Sequence, residues 1–142
     1  MVALTIQQPF ASVIALGVKR VENRNWPPPD WLLGGRFVVH AGKTWDEVGW
    51  RFCRDLGCEV PRDAPRGAVV AVVRLREVRQ CSYAEACESN RPDPWFVGPV
   101  GWFLGDVVAL PRPVACRGRQ SLWSLPREAE AEVQAQMSER GR

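Results

Sequence analysis

The sequence predicts an α+β fold in which a small mixed β-barrel is flanked by helices. Short runs of β-branched and aromatic residues recur along its 142 residues, whereas stretches with a helical pattern are few and short. Glycine and proline separate most of these runs, as expected at turns between strands. Many short strands favour a barrel, because closing the sheet leaves no strand edge exposed. The length suits one domain with a core of its own.

Composition and charge limit the classes of function. Hydrophobic residues make up 46% of the chain and charged residues 25%, which is ordinary for a globular domain. The 19 basic and 16 acidic residues give a net charge of +3, which permits nucleic-acid binding without requiring it, because such binding depends on clustering. The basic residues gather at Lys19, Arg20 and Arg24, at Arg36 and Lys43, at Arg74, Arg76 and Arg79, and at Arg112, Arg117 and Arg119.

Cysteine usage and hydropathy point to a protein of the cytoplasm. Five cysteines without a CxxC pair indicate neither a disulfide framework nor a zinc site, so we expect reduced thiols and neither a bound metal nor another cofactor. No apolar run approaches the roughly 20 residues that a spanning helix needs, and the N-terminus lacks a signal-peptide pattern. We therefore expect a cytoplasmic location and no membrane partner.

The first third of the chain predicts a strand, a short helix and a second strand. The first strand covers residues 2–6, and the helix covers residues 10–16 with Pro9 at its start and a glycine at its end, the favoured asymmetry. Side chains alternate along a strand, so Lys19 lies beside Glu22 only if it occupies the turn that precedes the second strand. We expect that arrangement.

The middle of the chain predicts two strands separated by a helix. Residues 36–40 form a β-branched and aromatic run that favours a strand. Thr44 and Glu47 have the spacing of a capping box, which predicts a helix over residues 45–56. The continuous β-branched run at residues 68–75 is typical of a central strand.

The last third predicts a short helix over residues 82–89, followed by strands at residues 95–97, 100–104 and 107–110. Glycine, proline and the Gly105-Asp106 pair supply the turns between these strands. From Pro126 onward the chain is rich in Glu, Ala and Gln, which predicts an exposed helix that frays toward Arg142.

The stretch between Gly17 and Trp26 carries a family resemblance. Gly17-x-Lys19-x-x-Glu22-x-Arg24 resembles the signature of the ASCH domain, a family with a PUA-like β-barrel fold, and residues 4–11 resemble its first strand and the start of its helix. Residues 101–104 and 110–118 resemble later strands of the family. The likeness therefore implies an ASCH/PUA-like domain at residues 1–125 and a C-terminal helical tail at residues 126–142.

The three charged signature residues are candidates for nucleotide binding. Lys19 would meet a phosphate or a polar base edge, Glu22 would accept a hydrogen bond from a base amino group or orient Lys19, and Arg24 would make bidentate contacts. The alternative is an ion pair that ties the strand to the barrel wall. That alternative is strongest for Arg24, because half-buried strand arginines usually pair with a carboxylate.

Five further residues are expected near the same cleft, each with a structural alternative. His40 and Lys43 would form the rim, although His40 is equally typical of a hydrogen-bonded histidine; a metal role is disfavoured because no second ligand has the right spacing. Gln8 would bind a base or simply cap the first helix. Trp26 and Trp45 would stack bases or pack against the protein.

The predicted function is binding of RNA or another nucleotide-containing ligand in a basic cleft, and the nucleic-acid-binding residues would be Gln8, Lys19, Glu22, Arg24, Trp26, His40, Lys43 and Trp45.

The resemblance also implies an alternative, hydrolysis of modified nucleosides or metal-independent cleavage of RNA, with Lys19 and Glu22 as catalytic residues. Some family members are amidohydrolases on acetylated cytidine that use the signature lysine as base and a threonine as nucleophile. Glu22 stands at that threonine's position, and a carboxylate cannot replace a hydroxyl as acyl acceptor. A ribonuclease would use His40, Lys19 and Glu22 as acid and base.

A third class of function, a protein-interaction adaptor, has weaker support. The triplet Pro27-Pro28-Pro29 favours a stiff, extended segment of the kind that adaptor domains recognise. An adaptor would neither bind nor cleave RNA.

Overall fold

A computed structural model describes residues 1–81 and 93–141 of the chain, and the helix predicted at residues 82–89 lies outside them. Within the described residues, no helix is long and apolar enough to cross a membrane. The elements in chain order are β1 Val2–Gln8, α1 Phe10–Ala15, β2 Val21–Arg24, β3 Arg36–Trp45, α2 Glu47–Asp55, β4 Ala68–Gln80, β5 Val100–Ala115, β6 Leu122–Ser124 and α3 Arg127–Arg140, with one 3-10 turn at Asp30–Leu32.

The strands form one mixed sheet in the order β2-β5-β4-β3-β1-β6. β1 and β3 run parallel, and the other described pairs are antiparallel. The outermost strands, β2 and β6, do not pair with each other in the described part of the chain, so the sheet is not closed and the predicted barrel is not confirmed. The guanidinium of Arg24 on β2 nevertheless donates a 2.8 Å hydrogen bond to the carbonyl of Thr5 on β1. The sheet therefore curls enough for the Arg24 side chain on β2 to reach the backbone of β1.

The buried face of the sheet is built from the apolar runs that the sequence shows. Residues Ala68 to Val73 on β4 are all buried, as predicted for a central strand. Val69 and Val72 belong to a second cluster. Val70, Ala71 and Val73 pack in the main core with residues such as Leu4, Ile14 and Trp102, on the side of the sheet beneath α1. This core fixes the position of α1, and with it the turn that leads into β2.

The C-terminal helix packs on the sheet instead of extending into solvent. Ala129, Val133 and Gln136 form a buried stripe at helical spacing, and Val133 joins the second cluster with Val114 and Trp123. The side chain of Gln136 accepts from the backbone N–H of Arg112 at 3.0 Å and donates to its carbonyl at 3.1 Å. The predicted exposure of this helix is wrong, because alanine and glutamine carry little apolar signal in the sequence.

Three local predictions are also wrong. Residues 95–97 do not form a strand, and the next strand, β5, begins at Val100. β3 continues through Trp45 because β1 pairs with it as far as that residue, so Thr44 is a strand residue and not a helix cap. Asp46 caps α2 instead, accepting a 2.8 Å hydrogen bond from the N–H of Gly49. β5 is one continuous strand, and the turn predicted at Gly105-Asp106 is an irregularity within it at which Asp106 has φ +47°.

Candidate functional site

The charged residues of the signature meet at the start of β2. α1 ends at Ala15, and Gly17, which has φ +78°, lets the chain turn back so that the N–H of Lys19 bonds the carbonyl of Val13 at 3.2 Å. The ammonium of Lys19 donates to the carbonyl of Val21, lies 3.8 Å from Glu22 Oε2 and sits 5.4 Å from the centre of the Phe10 ring. The placement of Lys19 in the turn, beside Glu22, is as the sequence predicts.

Two neighbouring cavities open around Glu22. The first, here called the Lys19 pocket, has a volume of about 360 Å³ and is lined by Phe10, Lys19, Glu22, Asn23, Asp46, Val48, Gly49, Phe52, Trp95 and Val97. The second, here called the β1–β2 cleft, has a volume of about 730 Å³ and is lined by Thr5, Ile6, Gln7, Phe10, Glu22, Asn23, Arg24, Trp26, Thr44, Arg119, Gln120 and Ser121. Because Phe10, Glu22 and Asn23 line both, Glu22 stands where the two spaces meet.

Some charged groups at the Glu22 junction lack hydrogen-bond partners among the described residues. Burial lowers the pKa of Lys19, and the carboxylate of Glu22 opposes that effect. Glu22 Oε2 and Arg24 Nε are buried and have no hydrogen-bond partner within the described chain. An unsatisfied buried polar atom costs about 1–3 kcal/mol, so a ligand that supplies the missing partner recovers that free energy.

Arg24 combines a structural bond with a free donor. Its Nη2 is committed to the carbonyl of Thr5 at 2.8 Å, whereas its Nε lies 3.5 Å from Glu22 Oε1 without forming a hydrogen bond. The bond to Thr5 therefore anchors the guanidinium across the β1–β2 cleft and leaves Nε at the Glu22 junction.

Asn23 is a residue of this site that the sequence analysis missed. Its Nδ2 donates to the carbonyl of Trp95 at 2.9 Å, and its Oδ1 accepts from the N–H groups of Val97 and Gly98 at 3.0 Å each. The amide therefore fixes the segment whose Trp95 and Val97 side chains wall the Lys19 pocket. Its position inside the signature is the one signal that pointed to it.

Some of the other lining residues that the sequence analysis missed come from distant parts of the chain. Phe52 and Trp95 meet edge to face with ring centres 5.5 Å apart, and Arg119 reaches the β1–β2 cleft from the segment before β6. These residues are separated from the signature by long stretches of sequence, so no local pattern indicates them. Trp26, which was predicted, does line the cleft and packs edge to face on Trp102 with centres 4.9 Å apart.

His40 lies in the core and not at the rim of either cavity. Its Nε2 donates to the carbonyl of Cys116 at 2.8 Å, so the ring is in the tautomer whose Nδ1 accepts from the Thr5 hydroxyl at 3.2 Å. The indole N–H of Trp123 donates to the same hydroxyl oxygen at 3.1 Å, and its ring meets His40 edge to face. This is the structural alternative considered for His40, and we call these four residues the His40 cluster.

Gln8, Lys43 and Trp45 also lie outside both cavities. Gln8 is fully buried, and its amide bonds Ser12 and the carbonyl of Pro65, which is the helix-capping alternative. Lys43 is exposed on β3, and Trp45 is half-buried, with its indole N–H donating to Glu47 at 2.9 Å. Of the eight predicted binding residues, the structure brings together Lys19, Glu22, Arg24 and Trp26.

The chemistry available in the Lys19 pocket is that of an acid–base pair among aromatic rings. None of the described residues that line it carries a hydroxyl or a thiol. No group of three His, Cys, Asp or Glu side chains that could hold a metal ion is present in residues 1–81 and 93–141. The pocket offers an acceptor, a donor and apolar walls.

A comparison with protein-family models gives the family of the chain. The family model described as the ASCH domain matches residues 4–133. The chain is similar to activating signal cointegrator 1, with 34% identity over 79 residues in Mus musculus and 31% over 87 residues in Homo sapiens. Each match covers 51% of this chain but only 13% of the relative, so the chain spans a small part of these relatives' length.

The fold is also that of solved structures. The crystal structure of ASCH from Zymomonas mobilis superposes with a TM-score of 0.59 at 18% identity, covering 94% of this chain and 93% of the other. A single-substitution variant of the same protein superposes with a TM-score of 0.58 at 17% identity, covering 94% of each chain. At this level of identity the likeness concerns the fold.

Proposed function

The chain belongs to the ASCH domain family, and from this premise we propose that it binds single-stranded RNA. In this proposal the base of an unpaired nucleotide occupies the Lys19 pocket, and the sugar and phosphates of the strand lie in the β1–β2 cleft. Sequence-specific recognition of RNA generally relies on unstacked bases that are accessible on their hydrogen-bonding edges, which suits a pocket and not a flat surface.

One observation carries the proposal: Glu22 lines both cavities, and its buried Oε2 has no hydrogen-bond partner among the described residues. An ionised carboxylate only accepts hydrogen bonds, so its natural complement is an N–H of a base, such as an exocyclic amino or ring imino group. The ammonium of Lys19, 3.8 Å away, is a donor beside this acceptor. A base that presents a donor next to an acceptor would satisfy both groups.

The walls of the Lys19 pocket suit the faces of a base. Phe10, Phe52 and Trp95 line it, and the volume of about 360 Å³ lies at the lower end of the range of small-molecule sites, about 300–1,000 Å³. Apolar and aromatic walls with a few converging polar groups are typical of such sites. The rings would contribute contact area, while Glu22 and Lys19 would fix the orientation of the base.

The β1–β2 cleft suits the backbone of the strand. It is larger and more polar than the pocket, with Arg24 and Arg119 among its lining residues together with hydroxyl and amide side chains. Guanidinium groups form strong, charge-assisted hydrogen bonds with phosphate oxygens. Contacts of this kind set the position of a strand, while contacts to base edges set its sequence preference.

Metal-independent cleavage of RNA is the second candidate function, and the state of Lys19 supports it. Burial lowers the pKa of this amine, which brings it closer to the neutral form that a general base requires. An RNA substrate carries its own 2′-hydroxyl, so the absence of a hydroxyl among the described pocket residues does not oppose this reaction. It does oppose acyl transfer through a covalent acyl-enzyme, which needs a protein nucleophile such as a hydroxyl or a thiol.

The test measures binding of a labelled single-stranded RNA of mixed sequence, about 12 nucleotides long, by fluorescence anisotropy. Glu22→Ala should weaken binding by about 5- to 150-fold, because a well-placed hydrogen-bonding pair contributes about 1–3 kcal/mol. Glu22→Gln keeps the shape and should also weaken binding. Glu128→Ala, which removes the same charge from the exposed start of α3, is the matched control and should not weaken it.

Unchanged affinity in both Glu22 variants, with their thermal melting intact, would contradict the proposed site. Recovery of the RNA on a denaturing gel separates the two candidates. Intact RNA agrees with binding alone, whereas fragments that disappear with Lys19→Met indicate cleavage. An adaptor would show neither binding nor fragments.

A further inference from the structure

Five side chains outside both cavities stack in alternating order over α2 and the loop that follows it. Arg54, Trp50, Arg62, Trp45 and Arg66 succeed one another, with guanidinium carbon to ring centre distances of 5.2, 4.3, 5.9 and 5.0 Å. We call this arrangement the Arg–Trp ladder. Four cation–π contacts in one row exceed the usual frequency of about one per 70–80 residues.

Hydrogen bonds hold the middle of the ladder in place. The indole N–H of Trp50 donates to the carbonyl of Val60 at 2.8 Å, and that of Trp45 donates to Glu47 at 2.9 Å. Arg62 binds the same Glu47 carboxylate with two bonds of 2.7 and 2.8 Å. Arg62, at the centre of the ladder, therefore has its charge neutralised by Glu47 and its position fixed, and its role is structural.

The two ends of the ladder differ from its middle because most of their donors have no hydrogen-bond partner among residues 1–81 and 93–141. Within these residues, Arg66 donates one hydrogen bond of 3.2 Å to the carbonyl of Arg62, and Arg54 makes a 3.8 Å ionic contact with Asp55. Both side chains are exposed. Stacking on indole rings restricts the guanidinium planes, so an anion that binds them costs less side-chain entropy than it would on a mobile arginine.

We propose that the Arg–Trp ladder is a second contact surface for the RNA strand, in which Arg54 and Arg66 hold phosphates of nucleotides outside the Lys19 pocket. This inference rests on the proposed function and extends the ligand from one nucleotide to a segment of several. The guanidiniums cover the indole faces, so bases do not stack there. The contact is with the backbone and is therefore independent of sequence.

Continuity with the pocket favours RNA as the occupant. α2 forms a wall between the two regions: Val48, Gly49 and Phe52 line the Lys19 pocket, whereas Trp50 and Arg54 belong to the ladder. Two further exposed cations lie near it. Arg51 is on α2, and the side chain of Lys43 passes beside Gly67, next to Arg66. Lys43 and Trp45, which lie outside both cavities, thus belong to or adjoin this surface.

The experiment compares RNAs of about 4 and about 12 nucleotides, because only the longer one can span both regions. Arg54→Gln/Arg66→Gln should weaken binding of the longer RNA by about tenfold and leave the shorter unchanged. Each lost phosphate contact should reduce the slope of log affinity against log salt concentration by about 0.7, so the loss of two contacts should reduce that slope by about 1.4. Arg54→Lys/Arg66→Lys keeps the charge without the planar stack and should give an intermediate loss.

The matched control is Arg36→Gln/Arg127→Gln, which removes two exposed arginines from β3 and α3 and should leave both affinities unchanged. If Arg54→Gln/Arg66→Gln binds the longer RNA as wild type does while Glu22→Ala does not, the ladder inference fails and the proposed function stands. If the wild-type chain binds neither RNA, both fail. If Arg54→Gln/Arg66→Gln loses binding of a polyglutamate peptide while its RNA binding is unchanged, the inference is overturned in favour of an acidic protein partner.

Discussion

The His40 cluster and the junction around Glu22 are both buried polar groups, and they differ in one respect. In the His40 cluster every side-chain donor and acceptor that faces inward has a partner: His40 bonds Cys116 and Thr5, and Trp123 bonds Thr5. At the junction, Glu22 Oε2 has no hydrogen-bond partner in the part of the chain that the structure describes. A satisfied buried network stabilises the fold, whereas an unsatisfied one costs free energy that a ligand can recover by supplying the missing partner. The pairing, and not the burial, separates scaffold from site.

Thr5 connects the two regions through different atoms. Its hydroxyl belongs to the His40 cluster, while its carbonyl accepts the Arg24 guanidinium. Packing around the hydroxyl is tight, since a Cβ added at Gly118 would lie 2.9 Å from it and 2.6 Å from His40 Cε1. The scaffold therefore fixes the strand that anchors one of the arginines of the site.

The largest effect on stability is expected at the His40 cluster. His40→Ala should lower the free energy of unfolding by about 3 kcal/mol, because it opens a cavity and leaves the Cys116 carbonyl unsatisfied. Urea denaturation measures the change. Lys43→Ala, an exposed substitution on the same strand, should stay within about 0.5 kcal/mol of wild type. The folded His40→Ala protein should still bind RNA, and a selective loss of binding would place His40 in the site after all.

A smaller effect on stability is expected when the pH is lowered. Burial lowers the pKa of His40 below its ordinary value of 6.5, against a weaker opposing effect of its bond to Cys116. As pH falls through about 6.5, the unfolded chain takes up a proton that the folded chain resists, so this contribution to stability falls with pH. Burial raises the pKa of the neighbouring Cys116 thiol, which therefore stays neutral across this range.

Thermal melting of wild type and His40→Gln between about pH 8 and about pH 5.5 checks this expectation. The glutamine amide can donate to the Cys116 carbonyl but does not titrate. The difference in melting temperature between the two proteins should therefore shift toward the variant as pH falls. A difference that is constant with pH would mean that His40 keeps an ordinary pKa.

The smallest effect on stability, with a large effect on binding, is expected at the junction. Lys19→Met/Glu22→Gln replaces a buried ion pair by neutral groups of similar size, and such replacements are often neutral or stabilising. We expect a change within about 1 kcal/mol by urea denaturation, together with loss of RNA affinity. Each single substitution should be more destabilising than the double, because it leaves one charge without its partner. A loss of about 3 kcal/mol in the double variant would instead class this pair with the His40 cluster as scaffold.

Much of the fold near the signature could be predicted from local sequence. The first strand, the helix from Phe10, the turn that holds Lys19 beside Glu22 and the buried strand from Ala68 all follow from short patterns of apolar, proline and glycine residues. The cap of α2 could not, because Thr44 and Asp46 both suit a cap, and only the pairing of β1 with β3 decides which of them remains in a strand.

The site was predictable at its centre and not at its walls. Residues 19, 22 and 24 are close in the chain: strand alternation puts Glu22 and Arg24 on one face, and the turn before β2 brings Lys19 to them. Phe52, Trp95 and Arg119 arrive from other elements, and their contribution depends on how the sheet curls and where α2 packs. His40 and Gln8 look like site residues in the sequence because buried polar groups and ligand-binding groups share the same residue types.

The sequence by itself therefore determined the family, the main strands and the adjacency of the Lys19 ammonium and the Glu22 carboxylate, since these depend on residues that lie close together in the chain. The tertiary structure decided which polar groups have partners. His40 is matched by a carbonyl 76 residues away, whereas no described group matches Glu22 Oε2. Hydrogen-bond satisfaction is a long-range property because it requires two atoms within about 3 Å, and local pattern does not bring distant segments to that distance.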